Sequence, residues 1–581
     1  MILASGLLAC FIYCFAIGNL WPGSSGYGRW LEWASTIAKA LWISWFVAVI
    51  SFLFRVNNPL PICFLLILSS GLIRLLNPSN KSIPCYLQGS KKYLLDFLVL
   101  IALSWISYTA LSRIPTSFGL FTEWDAVVSW NRWAVEWSNN TYEPAKAAYP
   151  ILFPGIWSLI YRAQETSEIW FVAKLSMYLV PVLCILILAS LAEQGLIATA
   201  CFATVGFILM VFNFGEATVS GYMDAPVALM MLASGLWMIF ITARPSSSHC
   251  LWPLSALVGV TAITKQAGLL IIIPYLVILF SNVQMSKMPW RLALTHLAIV
   301  LIPITTFLSI YLTREISPIG NLNLLTNFAA NSAGHESKLL NAFDLLFREW
   351  EWLLLLPFCG LLSLSNITVK NQTSLLGSIF LLLAICFFPI FANCCSYDVR
   401  NGWWLVSLIL LAGVCGVVGF DLKNKRKCTP SSRLLLRLKS SLIVSLVAAV
   451  FIICAGWWMP NQRLLALQKD LQWNVGYPSI SALLRKHSDM ISSDTKLITT
   501  YMPSRWLPGL NDSYVWCQNR RNDVAQCVKG QLENHRSLIL KRETDYQFLE
   551  RSFLDNYLLD EVDGFQLYGP FQLSSKIQIS F

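Results

Sequence analysis

Long apolar runs separated by short polar stretches limit the possible folds of this sequence more than any other feature. Phe97–Leu111, Phe171–Leu191 and Leu292–Leu312 approach or reach the ~20 residues that a helix needs to cross a bilayer. Only 13% of the 581 residues are charged, whereas a soluble domain carries roughly a quarter. The sequence therefore predicts an all-α polytopic membrane protein.

The distribution of basic residues predicts how these helices are oriented. Met1–Leu20 lacks a basic first segment and a small-residue cleavage site, so we interpret it as a retained span. The net charge of +11 is concentrated in one loop between two spans, which indicates a cytoplasmic loop rather than a nucleic-acid partner. The basic residues of this loop are Lys423, Lys425, Arg426, Lys427, Arg433, Arg437 and Lys439.

Counting outward from the basic loop gives about fourteen membrane segments. One overlong apolar run, 251–282, is interrupted by Lys265-Gln266. If the chain crosses the membrane twice here, the basic residues of the preceding loops lie on the cytoplasmic side, so charge bias favours a break at Lys265. Several polar stretches then lie on the opposite face together with the C-terminal tail, namely 113–169, 214–222, the Lys265 turn, 313–351 and 392–402.

The tail differs in character from the rest of the chain. Lys496–Tyr501 and Ser537–Lys541 have the composition of short strands, and Asp545–Asp555 has helical apolar spacing. We expect a small α/β domain at 458–581 on the periplasmic side. It follows an N-terminal transmembrane module, 1–93, and a transmembrane core, 94–457.

The first long polar stretch contains an acidic, tryptophan-rich segment, Glu123-Trp124-Asp125. Carboxylates near hydrocarbon are costly unless water, a partner or a substrate stabilises them. On a helix, Asp125, Arg132 and Glu136 share one face and Trp130, Trp133 and Trp137 another. The polar face would point to water or a cavity, and the tryptophans would suit the headgroup region. The alternative is an interfacial helix with a solvated polar side.

Three later positions place charge at the same predicted face. Asp224 follows Tyr222 and precedes Pro226, so it is either a helix N-cap or a functional carboxylate. Lys265 can either meet a phosphate or extend to the interface. Arg400 offers a planar fork for phosphate oxygens, or it neutralises Asp398 two residues earlier.

The order of these motifs resembles the GT-C superfamily of membrane glycosyltransferases. The nearest groups are bacterial relatives of the protein O-mannosyltransferases and of the aminoarabinose transferases of lipid A, with pilin arabinosyltransferases as another possible neighbour. The resemblance implies that Asp125 is the catalytic carboxylate, with Glu123, Tyr149 of the Tyr149-Pro150 stretch, Tyr222 and Asp224 near the sugar or acceptor. It also implies that Lys265 and Arg400 hold the donor phosphate. The spans before residue 94 have no counterpart in these families.

The resemblance further implies an inverting transfer of one sugar from a polyprenyl-phosphate donor to an acceptor hydroxyl at the periplasmic face of a bacterial inner membrane. Asp125 would accept the hydroxyl proton while the two cations stabilise the leaving phosphate. No cofactor is required, because side chains can neutralise the phosphate, and participation of a divalent metal stays open. The partners are then the lipid-linked donor, a protein, glycan or lipid acceptor, and the bilayer.

Two other functions remain open from the sequence. A membrane oligosaccharide ligase or polymerase also uses polyprenyl-linked donors but transfers whole glycans. A secondary transporter would place broken helices and ionisable residues near the middle of the membrane. The ionisable residues here gather at one face instead, which favours the transferase.

The predicted orientation can be measured by cysteine labelling. Single cysteines introduced at Ser138 and at Ser504, in a background without Cys517 and Cys527, should both react with an impermeant maleimide in intact spheroplasts. Both positions should react because a charged reagent reaches only residues exposed outside the inner membrane. Labelling of one position without the other would refute the break at Lys265 or the number of spans.

Overall fold

The computed structural model of the chain divides into two compact units. One comprises Met1–Glu123 with Trp133–Pro460, and the other comprises Trp124–Arg132 with Asn461–Phe581. The residues that the structure describes are 2–21, 28–76, 90–112, 121, 126–142, 150–167, 170–243, 251–285, 288–312, 335–350, 372–394 and 399–423, and in the tail 483–484, 486–490, 495–499, 514–516, 531–532, 536–542, 557–562 and 564–571.

All the regular secondary structure described in the first unit is helical. Its α-helices are α1 Ile2–Cys14, α2 Gly28–Leu53, α3 Leu60–Leu76, α4 Ser90–Ser112, α5 Arg132–Ser138, α6 Leu152–Gln164, α7 Phe171–Leu175, α8 Leu179–Glu193, α9 Ile197–Phe214, α10 Asp224–Ala243, α11 Leu251–Ala262, α12 Ile272–Gln284, α13 Trp290–Leu312, α14 His335–Trp350, α15 Gln372–Cys394 and α16 Trp403–Lys423. The boundary between the two units falls within α5, after Arg132.

Eight helical segments within the described ranges are long and apolar enough to cross a membrane, and four shorter apolar helices accompany them. The predicted segments at 352–366 and 440–457 lie outside the described residues. The other predicted segments coincide with these helices. The helical architecture is therefore confirmed, whereas the total of fourteen spans stays a prediction.

Helix α10 is the central element of the first unit. Every one of its residues is buried, and α8, α11 and α16 pack around it. Polar bonds reinforce the apolar packing. The Ser234 and Thr261 hydroxyls lie 3.0 Å apart between α10 and α11, and the Ser407 hydroxyl of α16 donates to the Ala228 carbonyl at 2.7 Å. These contacts fix α10 on several sides, so its first residue, Asp224, has a defined position.

The break expected at Lys265 is present. Helix α11 ends at Ala262, and Lys265 has extended backbone angles (φ −156°, ψ 159°). A 3₁₀ turn, Gln266–Ile271, then leads into α12. Gly268 lies so close to the preceding helix that an added Cβ would collide with the Thr261 carbonyl oxygen. Close backbone packing therefore holds the turn that carries Lys265.

A proline usually disfavours helix at the residue before it, so Pro150 and Pro154 favour an extended chain at the start of α6. Pro154 lies in the first turn of α6, and all thirteen residues of this helix are buried. A proline in the first turn costs no intrahelical hydrogen bond, because backbone N–H groups there lack helical partners in any case. Phe153 is therefore helical although a proline follows it.

Arg162, near the end of α6, forms hydrogen bonds with the turn after α2 and with the end of α5. Its guanidinium donates to the backbone carbonyls of Val56 at 2.5 Å and Trp137 at 2.6 Å, and to Oδ1 of Asn140 at 2.8 Å. Its residue exposure is 5%. Because a buried guanidinium requires hydrogen-bond partners, these contacts set where α5 ends relative to the turn after α2.

The tryptophan-rich segment does not have the solvated face that was considered for it. A π-helical turn, Ala126–Asn131, precedes α5, and Arg132 and Glu136 are each only 5% exposed. Trp137 stacks on Phe52 with ring centroids 4.8 Å apart. Aromatic packing inside the protein has replaced the expected headgroup contacts of Trp137, so an interfacial helix with a water-facing side is wrong for this segment.

Three helices of the first unit share a buried polar cluster that the sequence did not indicate. The Ser255 hydroxyl of α11 lies 2.6 Å from the Leu251 carbonyl, 2.7 Å from the Tyr275 hydroxyl and 3.0 Å from Nδ1 of His296. The His296 side chain is fully buried, and its ring packs on Trp252 with centroids 4.5 Å apart. The cluster links α11, α12 and α13 by hydrogen bonds.

The tail contains a five-stranded mixed sheet in the order β2-β1-β3-β5-β4. Its strands are β1 Thr495–Thr499, β2 Tyr514–Trp516, β3 Arg536–Arg542, β4 Leu558–Val562 and β5 Phe565–Phe571. β1 runs parallel to β2 and β3, whereas β5 runs antiparallel to β3 and β4. The two predicted strands are confirmed as β1 and β3, and the predicted helix at 545–555 lies outside the described residues.

A charged cluster joins β4 to the segment before β1. Lys486 Nζ lies 2.7 Å from Oδ2 of Asp560, and Nε2 of His487 lies 3.3 Å from the same oxygen. The hydrogen bond from the Lys486 ammonium lowers the pKa of Asp560 below its usual range. Asp560 therefore stays ionised at neutral pH and keeps this ion pair intact.

Replacing Gly268 by alanine tests the close packing at the Lys265 turn. The added methyl group must displace either the Thr261 backbone or the turn, and overpacking of this kind costs about 1–3 kcal/mol. We expect a lower melting temperature for purified Gly268→Ala in detergent. Gly155→Ala is the matched control, because its Cβ would meet only the Ala48 side chain at 3.4 Å, an ordinary contact. Equal melting temperatures for the two variants would contradict the packing argument.

Candidate functional site

The segment Tyr222–Asp224, where α10 begins, contacts two cationic side chains from distant parts of the sequence. Asp224 lies in the first turn of α10, and its Oδ1 accepts a hydrogen bond from Nζ of Lys265 in an ion pair. Both side chains are largely buried, with 17% of the Lys265 side chain and 11% of the Asp224 side chain exposed. Lys265 is thus paired with a carboxylate rather than extended to the interface.

The second cation lies over the aromatic ring of Tyr222. Cζ of Arg400 is 4.2 Å from the ring centroid, which is a cation–π contact. Tyr222 itself is only 6% exposed. One short segment therefore contacts Lys265 through a carboxylate and Arg400 through a ring.

The turn that carries Arg400 is held by aromatic packing. Val399–Gly402 forms a 3₁₀ turn directly before α16. Trp403, the next residue, stacks on Phe214 at the end of α9 with ring centroids 4.3 Å apart. Gly402 lies against the Phe391 ring, where a side chain would collide. The turn therefore has little freedom to carry Arg400 away from Tyr222.

Contacts within the turn, to α10 and to α6 hold the Lys265 turn in this region. The Gly268 amide donates to the Lys265 carbonyl at 2.8 Å, and the Thr264 hydroxyl lies 3.3 Å from the Met230 sulfur of α10. The Leu152 amide, at the start of α6, donates to the Ile263 carbonyl at 3.2 Å. The start of α6, which follows Tyr149-Pro150 in the sequence, thus lies beside the turn that carries Lys265.

Of the residues that the sequence selected, the structure brings together Tyr222, Asp224, Lys265 and Arg400. Arg132 is buried and belongs to the other compact unit. The remaining selected residues lie outside the described part of the chain, namely Glu123, Asp125, Tyr149 and Asp398.

The arrangement combines one carboxylate and two basic side chains at the start of a fully buried helix. Two cations within reach of one short segment can bind an anion with several oxygens, such as a phosphate. Within the described residues, no group of three or more His, Cys, Asp or Glu side chains could hold a metal ion.

Sequence reasoning missed two relationships at this site. It placed Tyr222 near the sugar or acceptor but did not predict the contact of its ring with Arg400. It also treated Asp224 and Lys265 separately, although they form one ion pair. The spacing Tyr-x-Asp at a helix start is too common a pattern to reveal either contact, because both partners come from distant turns.

Comparisons with known proteins give one structural match. No known protein family matches the chain, and no curated protein matches it. Among solved structures, the chain is similar to the crystal structure of ArnT from Cupriavidus metallidurans bound to undecaprenyl phosphate. The match has 12% sequence identity and a TM-score of 0.45, and it covers 83% of this chain and 98% of that chain.

The contact between Arg400 and Tyr222 can be tested without any ligand. Cation–π contacts contribute about 0.5–2 kcal/mol, so Tyr222→Leu should lower the melting temperature of the purified protein. Tyr222→Phe keeps the ring and should change it little. In combination with Arg400→Gln, the leucine variant should cause little further loss, because the contact is already absent. Fully additive effects of the two changes would contradict the contact.

Proposed function

We propose that this protein is a membrane glycosyltransferase that transfers a single sugar from a polyprenyl-phosphate donor to an acceptor hydroxyl. The transfer takes place at the periplasmic face of a bacterial inner membrane and inverts the anomeric carbon. The acceptor is a protein, a glycan or a lipid.

The observation that supports this proposal most is that Lys265 and Arg400 both contact the short segment where α10 begins. A polyprenyl phosphate has an anionic head on a long apolar tail. Its head requires cations, and its tail requires hydrocarbon or apolar helices. A cationic site at the start of a helix, in a bundle of membrane-length helices, provides cations for the head and apolar helices for the tail.

Asp125 is the proposed general base, on the strength of the sequence resemblance. It accepts the proton of the acceptor hydroxyl while the hydroxyl oxygen forms a bond to the anomeric carbon. The bond between that carbon and the phosphate oxygen breaks on the opposite side. One displacement of this kind inverts the configuration of the carbon.

Lys265 and Arg400 act on the leaving group in this proposal. Negative charge grows on the phosphate oxygens as the glycosidic bond breaks, so cations placed there stabilise the transition state more than the bound donor. Arg400 can bind two phosphate oxygens through its planar fork, whereas Lys265 supplies a point charge. Because two side chains neutralise the phosphate, the proposed reaction requires no divalent metal.

The central test is transfer by purified protein supplied with a radiolabelled polyprenyl-phosphate monosaccharide. Asp125→Asn keeps the size of the side chain but lacks its basicity, so turnover should fall by at least ~10²-fold. Arg400→Lys should retain part of the activity, and Arg400→Ala and Lys265→Ala should each lose more. Asp560→Asn is the matched control, because that carboxylate lies in the tail, where it pairs with Lys486 and not with a residue of the proposed site.

Other outcomes would favour other functions. Near-wild-type transfer by well-expressed Asp125→Asn would remove Asp125 from the reaction. Transfer only from donors that carry a whole glycan would identify a ligase or polymerase. If Asp398→Ala restored the activity lost in Arg400→Ala, Arg400 would serve to neutralise Asp398 rather than to bind the donor.

A further inference from the structure

Both cations of the proposed donor site are already bound by the protein itself, but in different ways. Asp224 accepts a hydrogen bond from the Lys265 ammonium and neutralises its charge. Tyr222 contacts the Arg400 guanidinium through its aromatic ring, with Cζ of Arg400 4.2 Å from the ring centroid. A phosphate that binds Lys265 therefore competes with Asp224 for the lysine ammonium.

We propose that Asp224 is a resident anion of the donor site, which binds Lys265 while the site is empty and releases it to the donor phosphate. This inference rests on the proposed function and adds a regulatory role for one residue. Asp224 is then a positioning residue, because it acts on the phosphate through Lys265.

The two partners differ in their freedom to move. Asp224 belongs to α10, in which every residue is buried and which is bonded to helices on several sides. Lys265 lies in the break between α11 and the following turn. Its ammonium is at the end of a long side chain with four rotatable bonds. The exchange therefore moves the lysine ammonium and leaves the aspartate in place.

This exchange has consequences for both ends of the reaction. In the empty site, the carboxylate keeps a partly buried ammonium paired, which avoids the cost of an isolated charge. After transfer, the lipid phosphate remains as the product, and Asp224 again competes for Lys265. The carboxylate thus weakens product binding and speeds the return to the empty site.

The first test is binding of undecaprenyl phosphate to the full-length protein in nanodiscs. Asp224→Asn should bind it at least about tenfold more tightly than the wild type, because the competing anion is gone. Lys265→Gln should bind it more weakly. Asp224→Asn combined with Lys265→Gln should bind like Lys265→Gln alone, since Asp224 acts only through the lysine. Undecaprenol and inorganic phosphate, tested separately, distinguish binding of the lipid chain from binding of the anion.

The second test uses the wild-type protein, in case a neutral residue at position 224 prevents folding. A carbodiimide should join the Asp224 carboxylate and the Lys265 amine in an amide bond, with transfer of the lost water to the reagent. Undecaprenyl phosphate should reduce this cross-link several-fold in mass spectra. The Lys486–Asp560 pair of the tail is the internal control, with 2.7 Å between its charged atoms, and its cross-link should not change.

The outcomes separate this inference from the proposed function. If the wild type binds no undecaprenyl phosphate, the proposed function itself fails. If the wild type binds it and Lys265→Gln weakens binding, the donor site stands. The inference is then overturned by Asp224→Asn binding no tighter than the wild type, or by an Asp224–Lys265 cross-link that saturating ligand leaves unchanged.

Discussion

The complete burial of α10 is the constraint on which the proposed site depends. A helix that is covered along its whole length cannot shift without disturbing α8, α11 and α16. Its first turn, with Asp224, is the fixed reference to which Lys265 and Arg400 are brought by separate turns. Hydrogen bonds of the Ser234 and Ser407 hydroxyls also fix the rotation of α10 about its own axis, which apolar contacts alone would not do.

The two cations reach this reference by different physical means. The Lys265 turn is set by close backbone packing at Gly268, where no side chain fits. The Arg400 turn is set by the Phe214–Trp403 stack and by the contact of Gly402 with Phe391. Packing of the helices that flank the two turns therefore positions both cations at the start of α10.

Sequence patterns predicted the parts of this molecule that depend on local composition. The apolar runs predicted the helices, and Lys265-Gln266 predicted the break between α11 and α12. In the tail, β1 and β3 were recognisable because apolar residues, Leu-Ile and Leu-Ile-Leu, form their centres. β4 was not, since its centre contains the acidic residues Asp560 and Glu561, which are uncommon in strands.

Features that depend on distant partners could not be predicted in the same way. Pro154 suggested an extended chain, but it occupies a first-turn position where a helix tolerates proline. The pairing of Tyr222 with Arg400, and of Asp224 with Lys265, depends on how separate helices pack. No local spacing encodes that packing.

In the cluster of Ser255, Tyr275 and His296, the number of available hydrogens determines which groups donate the hydrogen bonds. The serine hydroxyl has one hydrogen, and the Leu251 carbonyl at 2.6 Å can only accept it. Tyr275 and Nδ1 of His296 must therefore each donate a hydrogen to the serine oxygen. Nδ1 of His296 therefore carries a hydrogen, which for a neutral imidazole is the Nδ1–H tautomer, and Nε2 lies buried inside the helix bundle. Loss of the Ser255 hydroxyl would release that tautomer, so one side chain on α11 determines the chemical form of a ring on α13.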